Sequence, residues 1–334
     1  MPDQLAFYIE RYFLVYLVKQ HNYGDNTISS YRDTFRVLLT YLKGCGIDIS
    51  NLKVDELDHD IITSFLNWLQ ESRKNGVSTR NVRLAHIKSF YRYLLVNAPE
   101  HSERCSKILA IPFAKGEKKP PVCFSKDAMK SLLSSIDSST RDGLRHLSLL
   151  ALMYDSGCRV QEIIDLNVSD FQAGRCSRLY VKGKGNKYRT IPLLGETEKI
   201  ISRYIQTYQL SSDAPLFSNK SGNRLTRQGI RHILRKYSEL VNEESPHLIE
   251  GAVHPHRLRH SKATHLVDAG VNIYNVRDFL GHESVATTQI YLTSNPESTR
   301  KAIESVAEKT VPSSKDYYSN KDKNDLLSFL DSLS

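Results

Sequence analysis

Residues 111–123, IPFAKGEKKPPVC, hold three prolines, one glycine and three lysines. Proline lacks the backbone donor that a helix interior or a central strand needs, so this stretch can form neither. A chain of 334 residues, 40% of them apolar, is long enough to bury more than one core. The stretch therefore reads as a linker. We expect residues 1–110 as one unit, 111–123 as the connection, 124–310 as a second unit and 311–334 as a tail. Lys118 and Lys119 in the linker are either solvated or lie along a phosphate backbone.

The first unit reads as helical. Ile28, Tyr31, Phe35, Leu38, Leu39 and Leu42 recur at helical spacing behind Asp25 or Asn26 as a cap. A second stripe, Ile61, Ile62, Phe65, Leu66 and Leu69, follows an aspartate-rich start, and a third begins at Ser78 or Thr79 and carries Ala85, Ile87, Phe90, Tyr91, Leu94 and Leu95. With a helix at the amino terminus they predict a four-helix unit. The second unit opens with helices from Ser125 to about Ser135 and from Arg141 to about Tyr154. Residues 178–194 then alternate, Leu179 and Val181 before Gly183-Lys184-Gly185-Asn186-Lys187, Tyr188 and Thr190 after it, which predicts a β-hairpin ended by Pro192. Helices resume near Glu196 and continue to about residue 307. The expected class is mainly α with a small antiparallel β-sheet. In the tail, Leu326, Leu327, Phe329, Leu330 and Leu333 form a short apolar stripe, either a frayed end or a helix that docks on a neighbouring subunit.

Five cysteines without a CxxC pair fit reduced thiols better than a disulfide framework or a zinc module. The amino-terminal run MPDQLAFYIERYFLVYLVKQ is too short and too interrupted by charge to span a bilayer, and it lacks a signal-peptide layout. We expect a cytoplasmic protein with no membrane partner. The net charge of +9 gains meaning from its clustering. Between Lys220 and Lys236 stand Lys220, Arg224, Arg227, Arg231, Arg235 and Lys236 with no acid among them. Arg227, Arg231 and Arg235 share one helical face, opposite Ile230, Ile233, Leu234 and Tyr237. Stacked arginines repel one another, so the face is either simply solvated or meets a polyanion such as nucleic acid.

Four short motifs follow in order. The first is Arg159 after Gly157-Cys158; the second is Lys184 on the hairpin turn; the third is His256-x-x-Arg259 inside HPHRLRH; the last is Leu280-Gly281-His282 with Tyr291 nine residues after the histidine. His256 and His260, four apart, would put two imidazoles on one helical face as a metal pair does, but Arg257 occupies the position where a zincin has glutamate, and Arg259 adds opposing charge. No carboxylate cluster accompanies them, and the Lys184 loop is not a Walker motif, so we expect neither metal nor nucleotide cofactor. Two arginines, a lysine, two histidines and a tyrosine are instead the parts for phosphoryl transfer. Guanidinium forks match nonbridging oxygens, imidazole and lysine move protons, and a phenol can serve as nucleophile.

This ordered set resembles the tyrosine recombinase (phage integrase) family, and its Xer-like branch in particular, down to the wording LRHSKATHLVDAG and LGHESVATTQIY. The resemblance covers nearly the whole chain, with STRNVRLAHIKSFYRYL similar to a helix of the family's core-binding domain. It implies a helical SAM-like core-binding domain followed by an α+β catalytic domain, the two clamping duplex DNA. Tyr291 would attack a scissile phosphate to give a 3′-phosphotyrosyl link. Arg159 and Arg259 would hold the nonbridging oxygens, and Lys184 would protonate the leaving 5′-oxygen. His256 would assist proton transfer at the tyrosine, and His282 would bond the phosphate; His260 would be a supporting residue and His254 part of the entry turn. The partner strand's 5′-hydroxyl would then attack, passing through a Holliday junction. Implied partners are double-stranded DNA at a specific site and further copies in a tetramer, or related recombinases. Integration, excision or transposition of a mobile element is the leading role; dimer resolution, a type IB topoisomerase and a silent DNA-binding protein are the rivals.

Overall fold

The computed structural model describes residues 4–116, 122–183, 187–291 and Ser328. Lys118, Lys119, Lys184 and the apolar tail stripe are outside the described residues. The chain divides into two compact units between Lys118 and Lys119.

The first unit begins with α1 (Leu5–Arg11), which runs on as a π-helical segment, Tyr12–Gln20, and continues with α2 (Asp25–Gly44), α3 (His59–Glu71), α4 (Val77–Asn97) and α5 (Ser102–Leu109). The expected stripes form its core: Phe35, Leu38, Leu42, Ile62, Phe65, Leu66, Leu69, Ile87, Phe90 and Leu94 are all buried. Asp58 caps α3 by accepting from the Ile61 N–H at 2.9 Å. Two helix ends are tied by polar side chains: the Tyr91 hydroxyl donates to Leu57 O (2.8 Å), and Lys88 Nζ donates to Leu109 O (2.7 Å) at the end of α5. Helix α5 was not expected, because Cys105 and Ile108 alone are too few to show a period; packing against α4 makes it. The first residues of the expected linker belong to this unit. Ile111 is buried, and the Asn81 side chain donates to Ala114 O and accepts from Ala114 N.

The second unit is built around α7 (Arg141–Ser156), with α6 (Lys126–Ser134) before it and the short α8 (Val160–Asp165) after it. Leu144, Leu149, Leu150, Leu152 and Met153 bury α7 on several sides. Three strands, β1 (Phe171–Gln172), β2 (Arg178–Lys182) and β3 (Tyr188–Pro192), make an antiparallel sheet in that order. The chain closes with α9 (Gly195–Tyr208), α10 (Arg227–Glu244), α11 (Pro255–Asp268), α12 (Ile273–Leu280) and α13 (Ala286–Gln289).

The hairpin is where expected, but its second strand is one residue out of phase. Leu179 pairs with Ile191 and Val181 with Arg189, so Ile191 and Arg189 face inwards while Tyr188 and Thr190 are exposed. Directly opposed residues of an antiparallel pair share a face, so the register set by Leu179 and Val181 selects the partners. An arginine pointing towards a core needs a counter-charge, and that requirement leads to the site.

Candidate active site

Helix α7 ends at Gly157, whose φ of 58° is left-handed. That conformation favours glycine, and a Cβ there would crowd the Leu280 and Phe279 side chains at 3.1 Å. Helix α12 ends in the same way at Gly281, φ 66°, where a Cβ would meet the Arg189 guanidinium at 3.0 Å. Two helix C-termini are thus brought side by side, each presenting carbonyls with the negative end of a helix dipole.

Arg259 bridges them. Its Nη1 donates to Gly157 O and its Nη2 to Leu280 O, both at 2.8 Å, and the side chain is 1% exposed. Burial, and then the charge of Arg159, pull its pKa down to about 10, still well above neutrality. Arg159 stands at the N-cap of α8, partly exposed, with Nη1 on Glu162 Oε1 (2.9 Å) and Nη2 on Gly281 O (3.1 Å). Glu162, 7% exposed, also accepts the Arg159 backbone N–H (2.8 Å) and both terminal nitrogens of Arg189, at 3.0 and 2.8 Å. Burial alone would push this carboxyl up; its bonds to Arg189 and Arg159 carry it below the usual range. One carboxylate thereby orients two guanidiniums, leaving three buried or half-buried arginines against a single negative charge.

The histidines surround this cationic core. His282 donates to or accepts from Thr288 Oγ1 through Nδ1 (2.9 Å), and burial followed by Arg259 and Arg159 lowers its pKa to about 4. His256 is lowered by partial burial and then by Arg259. Tyr291 is 2% exposed, its ring packed with Ala263, Val276 and Leu280, and burial raises its pKa to about 12. An open cleft beside these groups is lined by Arg159, Lys187, Arg189, Arg277 and His282, with Asp278 and Glu283 also on its wall. Such a cleft suits an anion held by several guanidinium forks.

Of the expected site residues, Arg159, His256, Arg259, His282 and Tyr291 gather in one region, and within HPHRLRH His260 joins them there. Arg257 is structural: it lies over the Phe124 ring (4.2 Å) and donates to Glu250 O and Cys123 O. Arg227, Arg231 and Arg235 are exposed on one face of α10, opposite buried Ile230, Ile233, Leu234 and Tyr237. Arg227 Nε reaches Gln161 Oε1 (3.0 Å), and Arg235 pairs with Glu239 (2.7 Å). Arg224, in the same basic run, is engaged inwards with the carbonyls of Ile164 and Leu166.

Sequence reasoning passed over two residues and gave a third another role. Glu162 sits three places after an N-cap, where a glutamate returns to cap the helix start, a readable signal. Arg189 alternates in phase with buried Ile191 once the register is known. His260 was expected in a supporting role, yet its Nδ1 lies 2.7 Å from the Tyr291 hydroxyl.

Two family models match the chain: the phage integrase family over residues 123–298, and the phage integrase N-terminal SAM-like domain over residues 9–97. A putative integrase/recombinase of Sinorhizobium fredii is 36% identical over 98% of both chains. The tyrosine recombinase XerC of Bacillus pumilus is 30% identical over 86% of this chain and 92% of its own, and XerD of Listeria innocua 31% over 84% and 91%. Among solved structures, XerH bound to its difH substrate aligns with a TM-score of 0.65 at 22% identity over 84% of this chain and 80% of that one. The Tn1549 transposon integrase in complex with transposon right end DNA aligns with a TM-score of 0.70 at 16% identity over 91% and 99%. At those identities the structural likeness speaks for the fold.

Proposed function

The chain belongs to the phage integrase family of tyrosine recombinases, enzymes that cleave and rejoin DNA, and from that membership we propose how its own residues carry strand exchange. The observation that carries the reading is the cleft itself. Two guanidiniums, Arg159 and Arg189, share the Glu162 carboxylate, a third, Arg259, bridges the carbonyls of two helix C-termini, and a buried tyrosine lies near it. A phosphodiester supplies the missing negative charge. Its transition state concentrates more charge on the nonbridging oxygens, where Arg159 and the remaining N–H groups of Arg259 stabilise it.

Tyr291 Oη attacks phosphorus, the bond to the 5′-oxygen breaks, and a 3′-phosphotyrosyl ester forms. Lys184, by its place in the ordered motif, protonates the leaving oxygen, and His282 bonds the phosphate. In the second step a 5′-hydroxyl of the partner strand attacks the phosphotyrosine, and repeating this on the second strand pair resolves a Holliday junction. Each phosphodiester is exchanged for another, so the linkage energy stays in the covalent intermediate. The reading takes duplex DNA at a specific site as partner and further copies of the chain, or related recombinases, on paired sites. The exposed arginine face of α10 is proposed as a contact to the phosphate backbone. Among the described residues no helix is long and apolar enough to cross a membrane, and we place the reaction in the cytoplasm.

For the biological role, likeness over 98% of both chains to a putative integrase/recombinase favours integration, excision or transposition of a mobile element. The 30–31% identity to XerC and XerD supports dimer resolution as the second reading. A suicide substrate carrying the true site, in which the released strand end diffuses away, tests the chemistry. The full-length protein is expected to form an SDS-stable adduct, and Tyr291→Phe none. A silent DNA-binding protein would bind the same DNA and give no adduct with either.

A further inference from the structure

Taking strand exchange as the reaction, we infer that His260, and not His256, is the group that takes the proton from Tyr291 as the phenol attacks, and that returns it when the phosphotyrosine is resolved. The Nδ1 atom of His260 lies 2.7 Å from Tyr291 Oη, a short O–H···N distance to the reacting atom itself. His256 is one turn earlier on α11, its ring edge-on to His260 with centroids 4.7 Å apart.

Both partners are held where they meet. Residues on either side of His260 are buried and tied down: Arg259 by its two carbonyls, Ser261 by accepting from Phe124 N (2.7 Å) and donating to Arg257 O (2.8 Å). The imidazole therefore rides on a pinned stretch of helix. The Tyr291 ring is fixed by Ala263, Val276 and Leu280. A neutral imidazole with its proton on Nε2 offers Nδ1 as acceptor, while a neutral phenol supplies the donor.

The step balances without another reactant. The Oη–H bond breaks and the proton goes to Nδ1; an Oη lone pair forms the bond to phosphorus; the bond to the 5′-oxygen breaks, and that oxygen takes its proton from the general acid. On rejoining, the imidazolium returns its proton to the departing phenolate. The surroundings make this transfer depend on substrate. His260 faces His256 and Arg259 from its own helix, His254 from the N-cap of that helix, His282 from the segment between α12 and α13, and Tyr291; Cys123, ahead of α6, lies near the same hydroxyl. Burial, and then His256, His254 and Arg259, oppose an imidazolium here, which favours the proton on the phenol. A phosphodiester anion in the cleft offsets those cations and raises the basicity of His260 at the moment attack becomes useful. The enzyme would thus keep its nucleophile protonated until DNA is bound.

The test is single-turnover trapping of the full-length protein on saturating suicide substrate, from about pH 6 to about pH 9. His260→Asn is the informative variant, since its amide oxygen can accept the tyrosine's hydrogen bond but cannot take the proton. Expected are DNA binding within about threefold of wild type, adduct formation slower by roughly 100-fold or more near neutrality, and a defect that shrinks as pH rises. Added imidazole should restore part of the rate in His260→Ala. A substrate with sulfur in place of the bridging 5′-oxygen needs no general acid, and should rescue Lys184→Ala while leaving His260→Asn slow. The inference is overturned if His260→Asn forms adduct within threefold of wild type, if its loss is the same at every pH, or if the sulfur substrate rescues it. Should the asparagine variant melt before the assay temperature, His260→Gln is read against the same outcomes. Absence of adduct from the wild type, with binding intact, would overturn the strand-exchange reading itself.

Discussion

Glu162 is the residue on which the cationic cluster depends. Its two oxygens meet Arg189 through both terminal nitrogens and Arg159 through one, besides the Arg159 backbone N–H. Replacing it by glutamine keeps the volume but removes the charge and turns one acceptor into a donor facing two guanidiniums. We expect Glu162→Gln to lower the stability of the protein by about 3 kcal/mol, as for a buried ion pair broken on one side, measured by urea unfolding. DNA affinity should hold or rise, because net positive charge increases, while adduct formation falls because Arg159 loses its orientation. A variant that cleaves normally would show that Gly281 O alone is enough to hold Arg159.

Elements decide which charges reach a partner. On α10 the three arginines share an exposed face, but Arg227 is drawn towards Gln161 on α8 and Arg235 towards Glu239 one turn on. Burial, then Arg257 and then Arg231 lower the pKa of His254, so Arg231, between them, is near the side of the site. We therefore expect Arg231→Gln to weaken DNA binding across unrelated sequences and to reduce the slope of log K against log salt by about 1, in titrations at several salt concentrations. An unchanged slope would make α10 a solvated face. The β2–β3 hairpin makes a related point: its inward residues Leu179, Val181 and Ile191 anchor it in the core, and Arg189, in the same phase, delivers its charge to Glu162. The strand pair that carries the Lys184 loop is thereby tied to the helix start that carries Arg159.

For the molecule as a whole, the cost of burying titratable groups appears as pH dependence. In the folded protein burial brings the imidazoles of His146, His260 and His282 from 6.5 down to about 4, helped next by Arg145, His256 and Arg259 respectively. Between those values the unfolded chain binds more protons than the folded one. Stability from these groups is therefore fully present above 6.5 and is lost as pH falls towards 4. Thermal melts across that window should show Tm falling with pH, more steeply in the wild type than in His146→Gln. A flat profile would mean that these rings are solvated enough to titrate normally.

Much of this was legible in the residues alone. The prolines of 111–123 pointed to a break in the chain, the helical stripes named most of the first core, and the spacing of Arg159, Lys184, His256-x-x-Arg259, His282 and Tyr291 carried the family resemblance, because local period and motif order are properties of the chain itself. Tertiary structure alone decided what those residues touch. Whether Arg189 faces in or out depends on strand register; whether Arg259 is exposed depends on two helix ends meeting at Gly157 and Gly281; and which histidine meets Tyr291 depends on where the chain after α12 returns against α11. Contacts between segments distant in sequence leave no period to read, so the sequence could mark a histidine pair without showing which member reaches the phenol.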